Sequence, residues 1–112
     1  MTVVSNTTPL YYLTLIGHVD ILPSLYGHVH VTQKVLEELR HPNAPPFVRN
    51  WAMAPPDWLM IHSDPAEPDQ SLADLDPGER SALFLSEQLR SDVVLLDEAA
   101  ARTIAVQRGL KI

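Results

Sequence analysis

At 112 residues, the chain is long enough to bury one real core and too short for two, and its lack of cysteine removes disulfides, thiolate metal sites and cysteine nucleophiles together. A formal charge of -6 argues against broad electrostatic coating of nucleic acid, yet it leaves room for a nucleic-acid enzyme whose carboxylates hold metal. No apolar run approaches the roughly 20 residues of a membrane span, and the N-terminus lacks a basic-then-apolar signal pattern, so a single soluble, cytoplasmic domain over residues 1–112 is expected, with no membrane association.

In chain order, Thr2-Val3-Val4-Ser5 is a short β-prone run that stops at Asn6. Thr8 then suits a helix N-cap, with Pro9 at the first helical position, where a missing N–H costs nothing. This helix turns Leu10, Leu13 and Ile16 inward and stops at Gly17. A second short helix carries Ile21, Leu22, Leu25 and Tyr26 on one side and ends before Gly27. Residues 29–31 make a second strand, and Thr32 caps a helix running from Gln33 to Arg40, which His41-Pro42 ends. Phe47, Val48, Trp51 and Met53 space one more short helix between Pro46 and Ala54, and residues 58–62 read as a third strand.

Residues 63–76 are acidic and poor in apolar side chains, the composition of a mobile loop. Asp76, Pro77 and Glu79 then open the clearest helix of the chain, as N-cap, first residue and capping-box partner, with Leu83, Phe84 and Leu85 turned inward. The run Val93-Val94-Leu95-Leu96 lacks alternation, as in a strand buried on both faces of a parallel sheet, and ends at Asp97. A helix from about residue 99 to 108, stopped by Gly109, and the start of a fifth strand at residues 110–112 complete the chain. Strands separated by helices through short connections call for an α/β fold: a mostly parallel sheet of four to five strands with helices on both faces.

Ligands of such sheets bind outside the carboxyl ends of the strands, so Asn6 and Asp97 face one crevice if their strands are neighbours. No dinucleotide fingerprint, P-loop or nucleophile elbow is present, and what remains is acidic. Glu38, Glu79 and Asp97 come from three different elements, a donor set suited to a hard cation such as Mg²⁺ or Mn²⁺. On a helical wheel Glu38 lies roughly 60° from Val35, beside the apolar arc, and Glu37 lies further toward solvent.

Each of these residues also has a plain structural reading. Glu79 completes a capping box, Asp97 can cap the helix after it, Glu38 can be a solvated face residue, and Asn6 a turn residue. Thr7 and Thr8 could bond a metal-bound water or phosphate, although helix capping explains them as well. Arg102, Arg80 and Lys34 are candidates to touch phosphate, against the bland reading of solvated helix cations. Glu98 is an auxiliary ligand or first-turn decoration of the helix dipole. His18, His28, His30, His41 and His62 are scattered without ligand spacing and receive no role.

Four segments together resemble the PIN-domain superfamily, and more narrowly its prokaryotic branch related to VapC-type toxins: Val3-Val4-Ser5-Asn6-Thr7-Thr8-Pro9-Leu10, Val35-Leu36-Glu37-Glu38-Leu39, Leu75-Asp76-Pro77-Gly78-Glu79-Arg80-Ser81-Ala82-Leu83, and Val94-Leu95-Leu96-Asp97-Glu98-Ala99-Ala100-Ala101-Arg102. The resemblance implies a three-layer α/β/α fold and a metal-dependent endoribonuclease with its ligands at Asn6, Glu38, Glu79 and Asp97. It further implies structured RNA such as tRNA as substrate and a small antitoxin protein as inhibitor; an acidic protein would then hold its RNA by a few contacts, from Arg102, Arg80 and Lys34, shared across a homodimer. There are two departures. Asn6 stands where the superfamily has aspartate, and the chain ends at Ile112 where the family pattern continues with more sheet and a final helix, so strand four is expected beside an incomplete edge. Two other readings stand beside the nuclease: a PIN-like module that no longer cleaves, and a receiver-like domain, for which an acidic pair after the first strand and a lysine after the fifth are missing.

Overall fold

β-Branched residues fill three short runs, Val3-Val4, Val29 with Val31, and Val93-Val94, and stiff side chains of this kind pack well on a pleated surface. In the computed structural model, which describes residues 1–97, 99 and 103, these runs become β1 (Val3–Ser5), β2 (Val29–Thr32) and β4 (Val93–Leu95). With β3 (Leu59–His62) they form a four-stranded sheet in the order β3-β2-β1-β4, every pairing parallel. Five helices connect them: α1 (Thr7–Leu15), α2 (Ile21–Tyr26), α3 (Gln33–Leu39), α4 (Pro46–Met53) and α5 (Pro77–Leu89).

The two-residue period of the strands sorts the core into two layers. Val3, Val29, Val31, Leu59 and Leu95 pack with Leu10 and Leu13 of α1, Leu22 of α2, Val35, Leu36 and Leu39 of α3, and Val48 and Ala52 of α4. Val4 and Val94 point the other way, onto Ala82, Leu85 and Leu89 of α5. The α/β architecture with helices on both faces of a parallel sheet is therefore the one expected. Among the described residues, no helix is long and apolar enough to cross a membrane.

Several local expectations need correction. The doubly buried strand is β1, whose Val3 and Val4 are fully enclosed, whereas Val93 and Val94 of β4 are only half-buried. Among the described residues β4 has a neighbour on one side alone, and an edge strand keeps solvent contact that a central strand loses. Helix α1 starts at Thr7 with Asn6 at the N-cap position, so Thr8 is not the cap. Pro9 falls at the third helical position, still among the N–H groups that have no intrahelical partner. On α5 the buried residues are Gly78, Ser81, Ala82, Phe84 and Leu85, with Leu83 half-buried, and on α2 only Leu22 is buried.

Two of the three N-caps read from sequence, Thr32 and Asp76, are formed. Thr32 Oγ1 accepts from Val35 N–H at 3.1 Å, and Asp76 Oδ1 from Glu79 N–H at 2.9 Å. The loop over residues 63–76 is irregular but tethered. Asp64 Oδ1 accepts from Lys34 N–H at 2.9 Å, Glu67 pairs with Arg80, and Arg80 Nη1 donates to the Leu75 carbonyl at 3.1 Å. Ala99 and Thr103 are helical, the Thr103 hydroxyl donating to the Ala99 carbonyl at 2.9 Å. The rest of the helix expected over 99–108, and the fifth strand at 110–112, lie outside the described residues.

Candidate active site at the strand ends

β1 and β4 are neighbours, with Ser5 opposite Leu95, so both open their carboxyl ends onto the same edge of the sheet. Asn6 extends that pairing by one step, its backbone N–H donating to the Leu95 carbonyl at 2.8 Å. Its side-chain Nδ2 donates to the Leu96 carbonyl at 3.2 Å, which ties Asn6 to the residue just before Asp97. The side chain is 3% exposed, and its Oδ1 has no hydrogen-bond partner among the described residues. Leaving such an oxygen unpaired costs about 1–3 kcal/mol, so a buried one is a place to look for a ligand.

Thr7 follows Asn6, and its hydroxyl donates to Glu38 Oε2. Glu38 is half-buried and Glu37 exposed, as the helical wheel suggested. Glu79, in the first turn of α5, is also half-buried. Burial above all, then the charge of Asp76 and a hydrogen bond with it, then the charge of Glu38, raise the Glu79 carboxyl above its ordinary value. Asp97 is exposed at the end of β4.

A hydrogen-bond chain docks α3 on α5 beneath these groups. Val35 N–H donates to Thr32 Oγ1, the Ser81 hydroxyl donates to the Gly78 carbonyl at 2.9 Å, and the two hydroxyl oxygens lie 2.8 Å apart. Since the Ser81 proton is spent on Gly78, the Thr32 hydroxyl donates to Ser81. Both side chains are buried. Ser81 was not singled out from sequence, although a small polar residue on the inner face of α5, three after Gly78, was the available signal.

The donors come together in pairs. Among the described residues, no three of His, Cys, Asp and Glu are grouped so as to hold a metal ion. Glu79 senses the charge of Glu38, Asn6 reaches Glu38 through Thr7, and Asp97 follows the Leu96 carbonyl that Asn6 holds. All are oxygen donors, one of them a buried unpaired amide oxygen, and such a set fits Mg²⁺ or Mn²⁺.

The basic candidates are placed differently. The Arg80 guanidinium is engaged by Glu67 and the Leu75 carbonyl, which makes it a tether of the 63–76 loop. Lys34 is half-buried at the start of α3. Arg102 and Glu98 lie outside the described residues. His30 and His62, assigned nothing from sequence, meet across β2 and β3, with His30 Nδ1 2.8 Å from His62 Nε2 and ring centroids 5.0 Å apart. Burial first, then His62 and His28, hold the His30 imidazole below its ordinary range.

The description of the family whose profile matches the chain is DUF3368, PIN domain, and the match covers residues 2–112. No curated protein and no solved structure matches the chain.

Proposed function

Because the chain belongs to the DUF3368 family of PIN domains, a fold of nuclease type, we propose that it is a divalent-metal-dependent endoribonuclease that hydrolyses RNA phosphodiesters. The observation that carries this reading is the buried Oδ1 of Asn6, without a partner among the described residues, at the head of the Thr7–Glu38–Glu79 arrangement. Asn6 Oδ1, Glu38, Glu79 and Asp97 would hold Mg²⁺ or Mn²⁺. A cation held there would supply a water of lowered pKa and neutralise charge on the attacking and leaving oxygens.

The chain's own groups have separable tasks. Thr7 orients the Glu38 carboxylate by donating its hydroxyl to one oxygen. Asn6 fixes its amide by the bond to the Leu96 carbonyl, which turns Oδ1 away as acceptor. Glu79, pushed toward its protonated form by burial and by Asp76 and Glu38, gains most from a cation, since its ionised form is the one the metal-free site disfavours. Lys34, Arg80 and Arg102 supply phosphate contacts, Arg80 by exchanging Glu67 for a phosphate oxygen. Within this reading the protein is a cytoplasmic, VapC-like toxin component acting on structured RNA such as tRNA, restrained by a small antitoxin and working as a homodimer.

A second reading, a PIN-like binding or assembly module without cleavage, is favoured by two observations: Asn6 is neutral, and among the described residues no three acidic groups gather so as to hold a metal ion. RNA cleavage by the purified chain with Mn²⁺, with Mg²⁺ and with EDTA, beside Asp97→Ala, separates the two. Metal-dependent cleavage lost in the variant supports the nuclease. A folded protein that cleaves at no metal concentration supports the module.

A further inference from the structure

We infer that Gly78 is a positioning residue for Glu38: the missing side chain at the second position of α5 is the seat of the Glu38 carboxylate, an inference that rests on Glu38 and Glu79 acting as a metal-binding pair. Gly78 is buried and lies inside a helix, and it is not one of the glycines with positive φ. Left-handed backbone freedom is therefore not what requires glycine here, and helix propensity alone would favour alanine. A methyl group built on Gly78 would sit 2.6 Å from Glu38 Oε2 and 2.8 Å from Glu38 Cδ, well inside van der Waals contact. The carboxylate occupies the space a side chain would fill.

Two further observations show that this seat is constructed. The Thr7 hydroxyl holds Oε2, so the carboxylate is bonded to the first turn of α1 as well as seated on the first turn of α5. Beneath it, the Thr32–Ser81 chain ends on the Gly78 carbonyl, which fixes α5 against α3 at this residue. Glu79 is the next residue, so the seat that receives Glu38 also sets its approach to the second carboxylate.

The atoms an added methyl would meet are the far end of a flexible side chain. Alanine at this position therefore displaces the Glu38 carboxylate, breaks its bond to Thr7 and separates it from Glu79, while the backbone stays in place. A glycine present only by accident would behave otherwise, because alanine would then improve the helix and leave metal binding unchanged. One packed against backbone would unfold on substitution.

The test uses the full chain as wild type, Gly78→Ala, Glu38→Ala and the double variant. Mn²⁺ binding is measured by titration calorimetry, and stability by urea denaturation without metal. Expected are an unchanged or raised urea midpoint for Gly78→Ala, a Mn²⁺ affinity at least tenfold weaker, and no further loss of affinity when it is added to Glu38→Ala. Wild-type Mn²⁺ affinity in Gly78→Ala overturns the inference and leaves the metal reading standing. If wild type binds no Mn²⁺ the metal reading falls, and the metal-free cycle decides the seat. Gly78→Ala raising stability more in the Glu38→Ala background than in wild type supports it, and an equal effect in both backgrounds overturns it.

Discussion

Asn6→Asp would restore a carboxylate where this chain carries an amide, and its cost without metal follows from two atoms. Nδ2 donates to the Leu96 carbonyl at 3.2 Å, and the side chain is 3% exposed. A carboxylate oxygen in place of Nδ2 faces that carbonyl as acceptor against acceptor, and losing a buried bond with its partner left unpaired costs about 1–3 kcal/mol. Taking about 2 kcal/mol, at about 4–8 °C for each kcal/mol in a small domain, the metal-free melting temperature falls by about 8–16 °C. A carboxyl there regains the Leu96 bond only by taking up a proton, so its folded pKa is raised and the stability kept at acid pH is lost as pH rises through that value. If Asn6 is a metal ligand, Mn²⁺ should narrow the gap: a ligand at one hundred times its Kd stabilises by about 2.7 kcal/mol, and the variant, with one more anionic donor, should bind the cation more tightly and rise further than wild type. The assay is thermal unfolding followed by circular dichroism at about pH 7, with EDTA and with graded Mn²⁺. Equal metal-free melting temperatures would refute the reading of the Asn6 pocket, and a lower one without a larger Mn²⁺-induced rise would refute its role as a metal ligand.

Two further perturbations read other parts of the same framework. Ser81→Ala removes the acceptor of the Thr32 hydroxyl and the donor to the Gly78 carbonyl, so urea denaturation should report a loss of about 1–3 kcal/mol; a loss below about 0.5 kcal/mol would mean that the chain does not hold α3 on α5. His30 is held below its ordinary 6.5, chiefly by burial and next by His62, so the unfolded state binds the proton first. Its contribution is present above about pH 6.5 and is lost as pH falls through the lowered folded value, so urea midpoints should drop toward pH 5. His62→Ala removes the repulsion and leaves the burial, which should make that drop smaller, and an unchanged slope would exclude the pair as its source.

Much of the framework could be read locally. Thr32 and Asp76 cap α3 and α5 because a cap needs a short polar side chain and an N–H only three residues away, and both lie within one stretch of sequence. The inward turn of Glu38 follows from its angle to Val35 on one helix. The reading failed where two local rules competed. Thr8-Pro9 looked like a cap and a first residue, but the backbone turned helical two residues earlier, with proline still among the unpaired N–H groups. The unalternating Val93 run promised a strand buried on both faces, yet burial depends on how many neighbours pair with a strand: among the described residues β4 pairs on one side alone, and Val3 and Val4 of the inner strand β1 are the enclosed ones.

By itself, then, the order of amino acids determined the parallel α/β class, the starts of α3 and α5 and the acidic inventory, because periodicity, capping and proline geometry act within a few residues. Only the tertiary structure decided which of those residues meet. Asn6 finds Leu96 90 residues away, Ser81 finds Thr32 across 49, His62 finds His30 across 32, and Thr7 finds Glu38 across 31. Strand order and helix docking set those distances, and they are settled by burying the two apolar layers on either side of β1, a property of the whole packed chain that no short stretch of it contains.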